Sequence, residues 1–484
     1  MAQPDISNLA ACIEDARLAG LDQDPGPPDP TDYHNLRGRL MAVRSRFSPL
    51  YQQVAFDPFV ATLDSIGESG FMSVLLRDQA LEGTGRLMLD IAQALLQRGE
   101  RFEGKALGSF AEVVADLYDG FLSAEDRRGV NPPDLEVDPP LVKFGEPASG
   151  PYTWPADATK TFGLKVAVVN LPPANARRGL MAWPALAHET SGHDILHADT
   201  GLLAQVSGAV RAALQQDNST AGLAGYWADR IDETASDVFG ILNMGPAAGI
   251  GLVAFFRGLN AAFGNPAKLR TIGPDQDPHP ADIVRGFLAA ATVRQLEFAG
   301  AGDWADVIEG ETEKDLATIR LAGTKVTAAV ARKSAEIVSR AIVTTPMPSL
   351  EMHALGEIQN WRDSDESIVQ RLTNSLTTAN PTPTDLPSKI YAAHMVAAAT
   401  MSALRAGANI PALFQRMLDL LKLKHDANPI FGPLLVRRAG NIVRDRAYLP
   451  FRVSMADEPD GEAAAEEAAN GRSAGRHHRA ASHR

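Results

Sequence analysis

Between His188 and Gly201 the chain reads His-Glu-Thr-Ser-Gly-His-Asp-Ile-Leu-His-Ala-Asp-Thr-Gly, which holds three of the eight histidines preceding the C-terminal tail. Two imidazoles with a glutamate beside the first are the parts of a hydrolytic zinc centre: neutral nitrogen ligands, and a carboxylate able to take a proton from polarised water. The residue types therefore point to a metal site with His188 and His193 as ligands and Glu189 as general base. The spacing is unusual. Histidines at i and i+4 stand about 40° apart on a helix, whereas His188 and His193, at i and i+5, stand about 140° apart. A one-residue bulge restores the facing, and Gly192 lies where backbone freedom helps most. His193 and His197 form a competing pair at i and i+4 that needs no bulge, with Asp194, one methylene shorter than the usual base, between them.

A third ligand is offered by Asp232-Glu233-Thr234-Ala235-Ser236-Asp237-Val238-Phe239-Gly240. The spacing predicts a helix from Tyr226 to Met244 that buries Trp227, Ile231, Val238, Phe239 and Leu242. Its other face carries Glu233 and Asp237 at i and i+4. Glu233 completes a His/His/Glu set, and Asp237 is placed to accept the ring N–H of His188 from one layer further out.

The first motif, H-E-x-x-G-H, resembles that of the dipeptidyl-peptidase III metallopeptidases. The second is similar to the Asn-Glu-x-x-Ser-Asp-Ile-Phe-Gly helix that carries the third zinc ligand in thermolysin-like enzymes. Gly201-Leu202 lies from His193 as a Gly-Leu pair lies from the second zinc histidine of thermolysin, which puts the extra residue between the two histidines. The resemblance covers roughly 60 of the 484 residues. It implies a gluzincin-type metallopeptidase: Zn²⁺ on His188, His193 and Glu233, Glu189 as base and later proton donor to the leaving amine, and a peptide or protein as substrate. Asp277-Pro278-His279-Pro280 followed by Arg285 is similar to the H-P-x-x-x-x-R element of CAAX-prenyl endopeptidase-type enzymes. By that local likeness His279 is a candidate for oxyanion stabilisation, with a plain loop histidine as the alternative. His394, with Tyr391, is a weaker candidate for the same task. His34, His353 and His425 read as structural or exposed, and His477, His478 and His483 belong to the tail. Two other readings stay open: a non-catalytic metal-binding protein, and a helical interaction protein without metal.

The elements that must position these residues give a mostly α (α+β) fold, and the resemblance implies a zincin-like core with a small sheet at 131–305. Helical regions flank it at 1–130 and 306–455, and a disordered tail is expected at 456–484. Helical periodicity marks Ile6 to Leu21, Tyr33 to Ser48, Phe71 to Gln97 and Phe110 to Leu122. Residues 131 to 157, rich in proline and glycine, read as an irregular linker. Thr161 to Leu171 is β-branched and stopped by Pro172-Pro173, so it reads as a strand. It either offers its edge to an extended substrate or is a buried structural strand. The metal helix is expected to start near Pro184. Ala247 to Phe263, Pro280 to Phe298 and most of Ala317 to Leu449 also read as helical. A formal charge of -13 argues against general affinity for nucleic acid or anionic membranes, which a basic surface must attract. The single cysteine, Cys12, forms no internal disulfide and is expected to be buried. With no leader pattern and no uninterrupted apolar run of about 18 residues, a cytoplasmic location is expected. Nothing in the sequence sets the oligomeric state.

Overall fold

The structure, a computed structural model, describes residues 4–122, 130–131, 133, 138–147, 150–377 and 390–431. The expected tail and its histidines, the stretch on to Leu449 and the break at Asn380 to Pro387 lie outside the described residues. Among the described residues the protein is mostly α, with two three-stranded sheets.

The N-terminal helices are Leu9–Leu21, Tyr33–Val43, Asp57–Arg77, Thr84–Glu100 and Gly104–Leu122. The expected helix from Phe71 to Gln97 is two helices. Asp78 divides them, its carboxylate accepting the backbone N–H groups of Glu82, Gly83 and Arg86 at 2.9 to 3.0 Å. A side chain that satisfies the start of the next helix stops the first while the apolar period runs on through both. Pro49–Arg77 is long and apolar enough to cross a bilayer by length and composition alone. Here it pairs Asp57 with Arg44 and Asp64 with Arg37, and buries Tyr51, Phe56, Phe59, Leu63 and Phe71. Cys12 is buried as expected, its thiol 3.4 Å from the carbonyl of Ala403 and its pKa pushed by burial up to about 12.

The stretch expected as a linker holds two strands, β1 (Asp138–Phe144) and β2 (Tyr152–Trp154), which join β3 (Val166–Leu171) in the order β1-β3-β2. β1 runs parallel to β3 and β2 antiparallel to it. Pro139 and Pro140 are tolerated because β1 is an edge strand, and its register slips between Asp138 and Leu141. Side chains complete that edge. The Gln97 amide donates to the carbonyl of Phe144 at 2.7 Å and accepts its N–H at 2.9 Å, and Tyr51 donates to the carbonyl of Pro139 at 3.0 Å. β3 is central and wholly buried with a neighbour on each side, so of the two readings it is the buried structural strand and offers no edge to substrate. The outer strand beside the metal helix is β2. A second sheet lies in part within the C-terminal region that reads as helical. There β4 (Ile272–Gly273) pairs with β5 (Ile319–Leu321), which turns back into β6 (Thr324–Val326) through Ala322 and Gly323, both at positive φ.

Two helices carry the candidate site. The expected helix from Tyr226 to Met244 is broken at Arg230 into Ala224–Ala228 and Ile231–Met244, with Ile231 only partly buried. The metal helix is Ala185–Ser191, begun at Pro184 as expected. It contains no bulge. The helix ends at Gly192, and His193 follows in the turn, so the chain changes direction instead of threading an extra residue through a helix. Gly192 is needed for closeness: a Cβ there would fall inside Ser236, against its Oγ, Cβ and Cα. Gly240 does the same from the other helix, where a Cβ would stand 3.0 Å from the nitrogen of His188 and 3.2 Å from the carbonyl carbon of Ala187. The two helices thus touch backbone to backbone around His188. Replacing Gly192 by alanine is expected to cost about 3 kcal/mol, the upper end for overpacking, because backbone must move. Urea denaturation of G192A checks this, and an unchanged midpoint would contradict the close contact. Adding S236G should recover only part of the loss, since the Ser236 Cα remains in the way.

Candidate metal centre

Among the described residues, the His, Cys, Asp and Glu groups that converge closely enough for one ion are His188, His193 and Glu233. His188 Nε2 and His193 Nε2 stand 3.2 Å apart. Glu233 reaches both rings, with Oε2 3.3 Å from His188 Nε2 and Oε1 3.5 Å from His193 Nε2. Ligand atoms 2.0 to 2.1 Å from a tetrahedral ion stand about 3.3 to 3.4 Å from one another, so the 3.2 Å between the two ring nitrogens, with a Glu233 oxygen near each, suits one small cation.

The outer contacts fix which nitrogen faces the ion. His188 Nδ1 lies 2.9 Å from Asp237 Oδ1, and His193 Nδ1 lies 3.3 Å from Asp232 Oδ2. A carboxylate at each Nδ1 holds a ring proton there, so that a neutral ring points its Nε2 lone pair inward. Two lone pairs and a carboxylate facing one another repel unless a cation, either protons or a metal, sits among them. Oε2 of Glu233 is buried, with His188 Nε2 at 3.3 Å and Arg285 Nη2 at 3.7 Å as its cationic neighbours. The chemistry of the donor set therefore fits a divalent ion, with two neutral nitrogens and one carboxylate oxygen.

The titration behaviour follows. Burial works against a charged His193, but Asp232 and Glu233 outweigh it and raise its pKa to about 10. Burial likewise opposes charge on His188, and Asp237 and Glu233 overcome it, so its pKa is raised as well. Burial would push Glu233 upward, yet His279, His193 and His188 hold it well below the usual carboxylate range. Arg285 secures the inner carboxylate. It forks onto Asp237 with Nε–Oδ2 and Nη2–Oδ1 both at 2.7 Å, and its guanidinium lies over the ring of Phe256 at 4.6 Å.

Glu189 follows His188 on the metal helix and is buried, outside the converging three. Thr153 of β2 donates its hydroxyl to Glu189, with the carboxylate Oε2 and the main-chain oxygen both 3.1 Å away. The other two side chains of β2 point to the opposite face, where Tyr152 Oη and Trp154 Nε1 each donate to the buried Asp90 at 2.8 Å. Arg86 and Lys143 balance that carboxylate at 2.7 and 2.8 Å. β2 is thereby anchored on one face and meets Glu189 on the other.

His279 also reaches the site, with Nε2 3.1 Å from Glu233 Oε1 and Nδ1 3.0 Å from Asp277 Oδ1. Burial disfavours its charge, but Glu233 and Asp277 raise its pKa to about 9. Its loop is clamped by Arg230, which donates to the carbonyls of Pro274 and Asp275 at 2.9 and 2.8 Å, and by Tyr226, whose hydroxyl accepts the N–H of Ala281 at 2.9 Å.

The competing ligand pair is not the one that converges. His197 turns to Asp232, with Nε2 3.2 Å from Oδ1. Asp194 is buried and spends one oxygen on the N–H of Ala156 at 2.9 Å, and burial pushes its pKa up to about 7. His394 lies elsewhere: Nδ1 accepts the N–H of Tyr391 at 3.1 Å at the start of helix Ala392–Ala403, and Nε2 faces Asp365 at 2.9 Å. It serves a helix end, which removes it as an oxyanion candidate. Sequence reasoning missed Asp232 as a partner of His193, Arg285 as the partner of Asp237, and Thr153. For Asp232 the signal was adjacency to Glu233; for Thr153 there was none.

Comparison with protein-family models, with curated proteins and with solved structures finds no match to this chain.

Because the metal-free His193 is protonated below about pH 10, an ion binding at Nε2 must displace that proton. Apparent metal affinity is therefore expected to rise with pH through neutrality and to level off only near that value. Uptake at pH 7 should release at least about one proton per ion. Calorimetric titration in two buffers of different ionisation heat measures this, and identical heats would contradict it.

Proposed function

We propose that the protein is a zinc-dependent hydrolase, a gluzincin-type metallopeptidase in which His188, His193 and Glu233 hold the ion and Glu189 is the general base. The observation that carries this reading is the convergence of the three donors, with a second carboxylate, Glu189, following His188 on the same helix and outside the set. A divalent ion held by these three residues would supply Lewis acidity toward a substrate carbonyl and a water. Glu189, oriented by Thr153, takes the proton of the attacking water and passes it to the leaving amine. His279, held as a cation by Glu233 and Asp277, supplies positive charge for the oxygen that becomes negative as the carbonyl is attacked. β2, the outer strand nearest Glu189, is the element placed to pair with an extended peptide backbone.

A second reading draws on His279 itself. Its Nε2, 3.1 Å from a Glu233 oxygen, would close the fourth position of a purely structural site if the ring turned to the ion. Two variants separate the readings. Under the peptidase reading E189Q keeps zinc and loses hydrolysis of a quenched peptide library by a factor on the order of 10² to 10⁴, while H279A keeps zinc. Under the structural reading H279A loses the metal and no peptide is cleaved.

Protein purified without added metal is expected to carry about one zinc per chain, removable by a chelator together with the activity. Elemental analysis showing well under one equivalent of any divalent metal would contradict the proposal. E189Q that still hydrolyses peptides would move the base elsewhere.

A further inference from the structure

Each histidine of the converging set is backed by a carboxylate, and each carboxylate by a further nitrogen group, but the two arms differ in kind. On one arm His188 leans on Asp237 and Asp237 on Arg285, whose side chains are 12%, 0% and 5% exposed. On the other, His193 leans on Asp232 and Asp232 on His197, at 17%, 49% and 35%. The first arm is locked by a bidentate fork with both bonds at 2.7 Å. The second is held by single contacts of 3.3 and 3.2 Å. The backbone repeats the contrast. His188 lies inside a helix whose neighbour touches it backbone to backbone, whereas His193 lies in the turn after that helix ends.

We propose that His197 is a positioning residue that governs metal retention: through Asp232 it keeps the His193 ring turned inward, and the His193–Asp232–His197 arm is the side by which the ion leaves. The inference rests on the metal reading above and adds to it a role for a histidine that the ligand set leaves out. The argument is geometric. Asp232, half open to water, reaches His193 with Oδ2 and His197 with Oδ1, so one side chain is shared between two rings. With the His197 contact removed, Asp232 is free to swing to solvent, and nothing then holds the Nδ1 side of His193. The ring, which stands in a turn and not inside a helix, has then lost the contact that keeps it inward. Arg285 prevents the same event on the His188 arm.

The test is the rate at which zinc-loaded protein gives up Zn²⁺ to a chromogenic chelator. H197L, which keeps bulk and removes the donor, should release zinc about tenfold faster than wild type, in the range typical of lost outer contacts. H197Q, whose amide nitrogen can stand where Nε2 stands, should return the rate to within about threefold of wild type. The thermal midpoints of the metal-free forms should coincide, which a merely structural role for His197 would not allow. H197A serves the same purpose if leucine is not accommodated. Release from H197L or H197A at the wild-type rate, or from H197Q as fast as from H197L, overturns the proposal while leaving the metal site standing. A wild-type chain that takes up no Zn²⁺ overturns both.

Discussion

The candidate site depends on how closely two helices approach. Ala185–Ser191 is a seven-residue helix, too short to hold its shape in water alone, so its position is set by what it packs against. Gly192 and Gly240 let it meet Ile231–Met244 with backbone in contact, and this brings His188 opposite both Glu233 and Asp237. Side chains at either glycine would hold the helices apart and separate the imidazole from both carboxylates. The end of the short helix at Gly192 then turns the chain so that His193 faces the same point from another direction.

What the packing brings together is electrostatically demanding. Asp237 and Glu233 are largely buried, and buried carboxylates persist only with partners. Arg285 answers Asp237, His279 stands beside Glu233, and Arg270 offsets Asp277 behind His279. The imidazoles of His188 and His193 remain with Nε2 atoms aimed at each other and at Glu233. Protons can relieve this arrangement at neutral pH, as the raised pKa values of both rings express, and a divalent ion relieves it in their place. The same charges therefore account for the shape of the site and for its competition between metal and protons.

The residues of this site were legible in the sequence to the extent that their chemistry is local. His188, His193 and Glu233 stood out by type, and Asp237 by its i+4 relation to Glu233 on one helix. The route from His188 to His193 was not legible, because a spacing of five is satisfied equally by a bulged helix and by a helix that stops. Deciding between them takes the Gly192–Ser236 contact, made by residues far apart in the chain. Arg285 lies 48 residues from Asp237, and neither one's spacing announces the other. β1 was hidden for a similar reason. Pro139-Pro140 reads as a break, and only pairing with β3 and the side chains of Gln97 and Tyr51 make it a strand. The mostly α character, by contrast, followed from apolar periodicity alone.

Anomalous diffraction from zinc-soaked crystals, recorded on both sides of the zinc absorption edge, tests the central claim most directly. The account predicts one dominant peak within about 2.0 to 2.2 Å of His188 Nε2, His193 Nε2 and a carboxylate oxygen of Glu233. A dominant peak held by His197 in place of His188, or no peak at this site in protein shown to contain zinc, would contradict it.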